Sequence, residues 1–214
     1  MSYNGPTETN YFIEIHPGDA LSSSINEQKQ KLRGVPNSQY VGDDPHFTMI
    51  AARTASMHSL INATQEVANR LSKFTYGIIG LEEIQYPNGP IEIRTVVHPE
   101  DRGKFKSVHL AIVEASRPYR TRESMDRYNP SVMSDVQKEN LEYCGFPNAR
   151  DLFAPHASLG RFAPNTIEQV RSLIEGYNPA GLYEAYKMII WRLSTVAEDP
   201  TETPEKLEDF LFAI

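Results

Sequence analysis

Two short segments of the chain repeat one pattern of side chains that could do chemistry. The first is PHFTMI, from Pro45 to Ile50, and the second is PHASLG, from Pro155 to Gly160. Each has a proline, a histidine, an apolar residue and a hydroxyl residue in the same order. Because successive side chains in a β-strand alternate between its two faces, each histidine shares a face with the hydroxyl residue two positions later. The sequence therefore predicts two similar half-sites.

Two such half-sites could carry out proton transfer at a phosphodiester. Imidazole has an unperturbed pKa of about 6.5, so one ring can accept a proton near neutral pH while another donates one. His46 and His156 are therefore the candidate catalytic residues. The hydroxyls of Thr48 and Ser158 are the candidate phosphate-binding groups, since they can hold the phosphorus in line for attack. The scheme needs no metal and no cofactor, and it predicts a bell-shaped dependence of rate on pH.

Some acidic residues and histidines near the motifs allow other interpretations. Asp43 and Asp44 precede His46 and suggest a metal site, but the chain lacks a ligand spacing such as His-x-x-x-His, so we predict no bound metal. Four histidines have no counterpart in the other half of the chain: His16, His58, His98 and His109. His109 lies on the apolar stripe of a predicted helix and is expected to be a partly buried core residue.

The elements that must position these residues alternate between strands and helices. Strands are predicted at Tyr11–Ile15, at both motifs, and at Phe74–Tyr86, Ile91–Val97 and Leu182–Val196, with an edge strand at Phe210–Phe212. Helices are predicted to begin near Asp19, Ser56, Pro99, Val132 and Asn165. Residues 1–10 are polar and are expected to form a flexible lead-in. This order of elements indicates a mixed α and β protein.

The two halves repeat the order motif, helix, strand. The histidines are 110 positions apart, and Phe74 and Tyr183 in the following strands are 109 apart. Matched spacings of this kind indicate an internal duplication. Symmetry-related motif strands would place His46 and His156 face to face across a cleft.

The paired motifs resemble the His-x-Ser/Thr signature of the two-histidine (2H) phosphoesterase superfamily, which includes bacterial RNA 2′,3′-cyclic phosphodiesterases once called 2′-5′ RNA ligases. The resemblance covers the chain from Tyr11 to about Val196. It implies an α+β fold of two pseudo-symmetric lobes, each an antiparallel sheet with helices on the outside, around a central cleft. It also implies one bilobal domain over residues 1–214, with both histidines and both hydroxyl residues in the site. Met49 departs from the leucine expected at its position.

Residues 117–147 are longer than a minimal member of this superfamily needs, and we expect them to form an insertion or lid. This stretch has arginines at 117, 120, 122 and 127, which could simply form a solvated face. Alternatively, Arg120 or Arg122 could reach the substrate phosphate, and Tyr119 or Tyr128 could stack on a base. Tyr119, Arg120, Arg122 and Tyr128 are therefore the candidate substrate-binding residues.

Composition restricts the partners that the chain can have. The formal net charge is −7 over 214 residues, which argues against a surface that holds long nucleic acid. No apolar run is long enough to span a membrane, and the first residues do not form a signal peptide, so we expect a cytoplasmic protein without a membrane partner. The single cysteine, Cys144, is expected to be a buried thiol.

The leading hypothesis is a metal-independent phosphodiesterase acting on small nucleotides or oligonucleotides. Its substrate could be a 2′,3′-cyclic phosphate, a 2′-5′ linkage or a cyclic oligonucleotide. A non-catalytic module that binds nucleotides or RNA ends would carry the same motifs. A metal-dependent hydrolase that uses His46 with Asp43 or Asp44 is a third alternative, and chelation distinguishes it from the first.

Overall fold

A computed structural model describes residues 8–86, 89–121, 128–193 and 204–213. The β-strands are β1 Thr9–Ile15, β2 Phe47–Thr54, β3 Phe74–Gln85, β4 Ile91–Val97, β5 Ser158–Phe162, β6 Gly181–Ala185, β7 Lys187–Leu193 and β8 Glu205–Leu211. The α-helices are α1 Asp19–Leu32, α2 Met57–Ala68, α3 Arg102–Ser116, α4 Asp135–Cys144 and α5 Ile167–Leu173. β1 begins within the predicted lead-in of residues 1–10, of which residues 1–7 lie outside the described part of the chain.

The strands form two four-stranded antiparallel sheets with the same arrangement. The first sheet has the order β2-β1-β7-β8, and the second has the order β5-β4-β3-β6. In each sheet the strand at one edge begins beside a motif histidine: β2 directly follows His46, and β5 begins two residues after His156. The predicted α+β fold with two pseudo-symmetric lobes is confirmed.

Two strands lie in the lobe opposite to the one that their sequence position suggested. β3 follows the first motif but pairs with β4 in the second sheet, because a short connection joins these two strands. β7 follows the second motif but pairs with β1 in the first sheet. Phe74 and Tyr183 therefore lie on neighbouring strands, β3 and β6, where Tyr76 pairs with Tyr183. The prediction that these two residues occupy symmetry-related positions is wrong.

The segment predicted as one long strand from Leu182 to Val196 is two strands in different sheets. β6 ends at Ala185 and β7 begins at Lys187, so a single residue, Tyr186, connects the second sheet to the first. The apolar pattern could not show this break, because both strands are rich in apolar residues. The predicted edge strand at Phe210–Phe212 is found as β8, which begins earlier, at Glu205, and lies at the edge of the first sheet.

The residues between the motif histidines and hydroxyl residues point into the core, as strand alternation predicts. Phe47 is fully buried, and its ring lies against Tyr76 and Phe105 at centroid distances of 5.4 Å and 4.7 Å. Ala157 takes the same place in the second motif and is also fully buried. Burial of an aromatic ring such as Phe47 contributes about 1.5–3 kcal/mol. This packing turns the histidine face of each motif away from the core.

The helices pack against the sheets through apolar stripes. On α3 the stripe includes Phe105, Val108 and Ile112, all buried. α4 ends at Cys144, a buried free thiol as predicted, and Gly145 follows in the left-handed conformation. α3 has 15 residues, and among the described residues no helix is long and apolar enough to cross a membrane.

Candidate active site

The two motif histidines are oriented by the same backbone contact. Nδ1 of His46 lies 2.8 Å from the carbonyl oxygen of Asp44, and Nδ1 of His156 lies 2.8 Å from the carbonyl oxygen of Ala154. A carbonyl oxygen can only accept, so Nδ1 of each ring carries the hydrogen. In the neutral ring this leaves the lone pair on Nε2, the nitrogen that is free to exchange a proton with a substrate.

Both rings are reachable from solvent and lie close enough to influence each other. The side chains of His46 and His156 are 28% and 30% exposed. Burial lowers the pKa of His46, and the positive charges of Lys29 and His156 act in the same direction. Strands in separate sheets therefore bring the two predicted catalytic histidines into one electrostatic environment.

Each histidine has a buried glutamate beside it that the sequence analysis missed. Oε2 of Glu14 on β1 lies 3.6 Å from Nδ1 of His46, and Oε1 of Glu92 on β4 lies 3.6 Å from Nε2 of His156. Glu14 and Glu92 are only 2% and 1% exposed. Each lies between two isoleucines in a strand, so a signal was present: an acidic residue in an otherwise apolar strand.

Glu92 is surrounded by hydrogen-bond donors. The hydroxyl of Ser158 donates to one carboxylate oxygen and that of Tyr86 to the other, at 2.5 Å for Tyr86, and the guanidinium of Arg161 lies 3.5 Å away. Burial alone would raise the pKa of Glu92, but the contacts with His156, Ser158 and Tyr86 together hold it well below its usual range. Glu92 is therefore ionised at neutral pH.

Glu14 has the opposite electrostatic state. Burial raises its pKa to about 8, and the neighbouring charge of Asp44 acts in the same direction. The indole of Trp191 and the ammonium groups of Lys187 and Lys206 lower the pKa, but burial dominates. Glu14 is therefore mostly protonated and uncharged at pH 7.

The predicted phosphate-binding hydroxyls also differ between the half-sites. The Ser158 hydroxyl donates its hydrogen to Glu92, so it must rotate before it can donate to a phosphate oxygen. Thr48 is half-buried and is paired in register with Glu14 on β1. Ser158 is therefore bound to a charged carboxylate, whereas Thr48 lies opposite the uncharged Glu14.

Two arginines that the sequence analysis missed lie in the second half-site. Nη1 of Arg94 is 3.4 Å from Nδ1 of His156, and its Nε donates to Glu82 at 2.8 Å. The Nδ1 hydrogen of His156 is directed to the carbonyl oxygen of Ala154. Arg94 therefore acts on the His156 ring through its positive charge and not as a hydrogen-bond partner. The guanidinium of Arg161 lies between the rings of Tyr40 and Tyr86, 5.0 Å and 4.9 Å from their centroids.

A β-bulge in each motif explains why strand alternation did not predict the place of Arg161. In β5 the pairing with β4 passes from Gly160 to Ser158, so Leu159 is an extra residue. Ser158 and Arg161, three positions apart, can therefore both contact Glu92. In β2 the pairing with β1 passes from Ile50 to Thr48, and Met49 is the extra residue. Both motifs therefore contain a β-bulge directly after the hydroxyl residue.

A buried lysine lies close enough to His46 to affect its charge. Lys29 on α1 is 3% exposed, and its ammonium group donates to the carbonyl oxygens of Tyr40 and Asp43 at 2.9 Å and 2.8 Å. Burial lowers its pKa to about 8. Asp43 and Asp44, considered above as metal ligands, thus use their backbone oxygens to bind Lys29 and His46. Among the described residues, no three side chains of the His, Cys, Asp or Glu type are grouped to hold a metal ion.

Tyr119 and Arg120 do not join the histidines. The carbonyl of Tyr119 accepts a hydrogen bond from the Thr54 hydroxyl at 2.7 Å, and the Arg120 guanidinium donates to the backbone carbonyls of Thr121, Glu142 and Tyr143. Thr54 ends β2, whereas His46 precedes its first residue, so roughly 25 Å of strand separates them. The prediction that Arg120 reaches a phosphate at the histidines therefore fails, because its donors are used at the far end of β2.

Of the other two candidates, Tyr128 alone lies within the described residues. Arg122 lies outside the described residues. The Tyr128 hydroxyl donates to the Ala51 carbonyl at 3.2 Å, while Nδ1 of His109 and the amide of Thr121 bind the carbonyls of Met49 and Arg53. These are bonds to backbone carbonyls of the edge strand β2. The described residues of the segment 117–147 therefore help to cover this edge, which would otherwise be free to pair with another chain.

The outer edge of β5 is covered by a different segment. Gln39 and Arg161 exchange two backbone hydrogen bonds of 2.9 Å. This close approach depends on Gly160, because a Cβ there would lie 2.8 Å from Cγ1 of Val41 and 3.1 Å from the carbonyl oxygen of Gln39.

Gly160→Ala is expected to lower the free energy of unfolding by about 1–3 kcal/mol, because the added methyl group overpacks this contact. Urea unfolding at pH 7.5 measures the change. Gly103→Ala is the control, because Gly103 lies in α3 and a methyl group added there would have nothing within 4 Å, so it should not destabilise the fold. Equal stability of the Gly160 variant and the wild type would contradict the close approach.

Comparison with solved structures gives the fold of the whole chain. A Thermus thermophilus protein, TT0787, is 13% identical, with a TM-score of 0.62 over 95% of this chain and 97% of that one. E. coli LigT in its apo form is 11% identical, with a TM-score of 0.55 over 97% of this chain and 99% of that one. This chain has the LigT fold. A structure described as a phosphoesterase is 12% identical, with a TM-score of 0.54 over 96% and 99%.

The LigT fold accounts for the arrangement of the two four-stranded sheets. LigT itself has been crystallised with phosphate, with 3′-AMP and with ATP. No protein-family model and no curated protein sequence matches this chain. At 10–13% identity the likeness to the solved structures concerns the fold alone.

Proposed function

We propose that the chain is a 2H phosphoesterase: a metal-independent phosphodiesterase that acts on small nucleotides or oligonucleotides. The observation that carries the proposal is the matched orientation of His46 and His156. Each ring is held through Nδ1 by the carbonyl two residues earlier, and each is partly exposed. Two imidazoles with available Nε2 atoms in one site are what paired acid and base catalysis requires.

In the proposed reaction one imidazole removes a proton from the attacking water or hydroxyl, and the other gives a proton to the departing oxygen. The bond from the attacking oxygen to phosphorus forms while the bond to the leaving oxygen breaks. The protein contributes mainly position and charge, as phosphoryl transfer demands. The hydroxyls of Thr48 and Ser158 would bind the non-bridging oxygens, and the guanidinium groups of Arg94 and Arg161 would offset their negative charge.

The proposal favours small substrates. The net charge of −7 opposes the binding of a long polyanion, whereas one or a few phosphates need only local cations such as Arg94 and Arg161. The phosphate, 3′-AMP and ATP complexes of LigT agree with a site of this size on the same fold. Suitable substrates are 2′,3′-cyclic nucleotides, 2′-5′-linked dinucleotides and cyclic dinucleotides.

A substrate panel in EDTA tests the proposal. We expect the protein to convert at least one of 2′,3′-cyclic AMP, a 2′-5′-linked diadenylate and a cyclic dinucleotide, as followed by chromatography of the products. His58→Ala is the control, because His58 is exposed on α2, and it should retain full activity. Loss of turnover on chelation would favour a metal-dependent hydrolase. Binding of a substrate without any product would favour the non-catalytic module.

A further inference from the structure

The two half-sites have similar backbones but opposite distributions of charge. At the position paired with the motif hydroxyl residue, β1 has the uncharged Glu14 opposite Thr48, whereas β4 has the cationic Arg94 opposite Ser158. Two residues earlier on each strand, β1 has Phe12 and β4 has the anionic Glu92. The glutamates therefore do not occupy equivalent positions, and they contact different nitrogens of the two histidines.

His46 has little nearby charge that favours its protonated form. The ring of Phe12 lies 5.4 Å from its ring, and the uncharged Glu14 lies on its Nδ1 side. The charged groups that act on it are Asp43, which favours the imidazolium, and Lys29 and His156, which oppose it. Together with burial, these surroundings favour an imidazole that can accept a proton at Nε2.

His156 has a buried anion directly beside the nitrogen that would exchange a proton. Glu92 lies 3.6 Å from its Nε2, which is longer than a hydrogen bond. The carboxylate therefore stabilises a proton on Nε2 through charge without binding it. Arg94, on the Nδ1 side, opposes this effect, but Glu82 binds its guanidinium at 2.8 Å and offsets part of that charge. Tyr86 and Arg161 are the other titratable and charged groups in contact with Glu92.

We propose that Glu92 makes His156 the proton donor of the pair, and that His46 is the proton acceptor. This assignment rests on the proposed phosphodiesterase function. Glu92 acts through His156 and is therefore a positioning residue, whereas the two histidines exchange protons with the reactants.

In the reaction, His46 then accepts one proton and His156 donates another. Nε2 of His46 takes a proton from water, the water oxygen forms a bond to phosphorus, and the bond from phosphorus to the leaving oxygen breaks. Nε2–H of His156 gives its proton to that oxygen. After product release, solvent returns a proton to His156 and removes one from His46, so the net change is the addition of one water.

Glu92→Gln and Glu14→Gln form a matched pair of tests. Both glutamates are buried and lie 3.6 Å from a motif histidine, but only Glu92 is ionised, so only its replacement removes a charge. In NMR titrations of the imidazole resonances, we expect the midpoint of the His156 resonance to fall by about one pH unit in Glu92→Gln. Glu14→Gln should leave both midpoints unchanged in titrations up to pH 7. Resonances are assigned with His46→Asn and His156→Asn.

Activity provides a second readout for the same variants. In Glu92→Gln the alkaline limb of the pH–rate profile should move to lower pH by a similar amount, while the acid limb, which belongs to His46, stays in place. Glu92→Asp retains the charge and should restore part of the alkaline limb. A variant with only a structural defect would instead lower the rate equally at every pH.

The NMR titration requires no turnover, so it tests the assignment even if every substrate in the panel fails. If Glu92→Gln does not fold, Glu92→Asp is the second variant: its shorter side chain moves the carboxylate away from Nε2 of His156, so the midpoint of the His156 resonance should fall by a smaller amount. The assignment is overturned if His46 is the ring that stays protonated to the higher pH. It is also overturned if Glu92→Gln and Glu14→Gln shift the His156 resonance equally.

Discussion

Replacing His46 or His156 with alanine is expected to lower kcat/KM for phosphodiester hydrolysis in EDTA by about 10²–10⁴-fold. Each variant removes one of the two proton-transfer groups, and general acid or base catalysis by a positioned imidazole contributes a factor of this size. Neither ring is part of the apolar core, since both are about 30% exposed, so the fold should persist. Initial rates with the best substrate of the panel measure the effect.

The double variant separates catalysis from a general loss of binding. Since the two rings act in one step, removing both should cost less than the product of the two single effects. His58→Ala is the control, because it shows how much activity is lost when an exposed histidine outside the site is replaced. Activity within a few-fold of wild type in either single variant would be incompatible with paired-histidine catalysis.

The largest expected effect on stability concerns His109 on α3. Its Nδ1 lies 2.6 Å from the Met49 carbonyl oxygen, and its Nε2 accepts from the Arg150 amide at 2.9 Å. The ring is fully buried and stacks on Phe153 at 4.1 Å. His109→Ala should lower the free energy of unfolding by about 3–5 kcal/mol at pH 7.5, because it leaves a cavity and two unpaired backbone groups.

The contribution of His109 should also depend on pH. Burial lowers its pKa to about 4, whereas an unfolded chain has the usual value near 6.5. Between these values the unfolded state binds the proton more readily, so stability is full above pH 6.5 and falls as the pH drops toward 4, by about 3 kcal/mol. The difference between wild type and His109→Gln in urea unfolding isolates this change from the effects of other groups. A difference that is constant from pH 7.5 to 4 would contradict the neutral buried ring.

Strand alternation made the motifs and their faces predictable from sequence. It places Phe47 on the face opposite to His46 and Thr48, and Phe47 is buried in the core. The strand that pairs with each motif was harder to predict, because periodicity identifies a strand but not its neighbour in the sheet. For this reason periodicity did not show that β3 lies in the second sheet and β7 in the first.

The positions of the remaining site residues follow from strand register and burial, which the sequence does not show directly. Glu92 and Arg161 are paired in register on β4 and β5, and the extra residue Leu159 lets Ser158 contact Glu92 as well. No local pattern in the sequence reveals that bulge. Glu14 was detectable in principle as a glutamate between two buried isoleucines. Arg120 was misassigned because its cluster of basic neighbours suggested phosphate, whereas its actual partners are the backbone carbonyls of Tyr143 and Glu142 near the end of α4.

The pH dependence of kcat/KM for the unmodified protein tests the central claim most directly. One histidine must be unprotonated and the other protonated, so rates measured in EDTA from about pH 5 to 9 should follow a bell-shaped curve. The acid limb should disappear in His46→Ala and the alkaline limb in His156→Ala. A flat profile for the unmodified protein over this range would contradict the account.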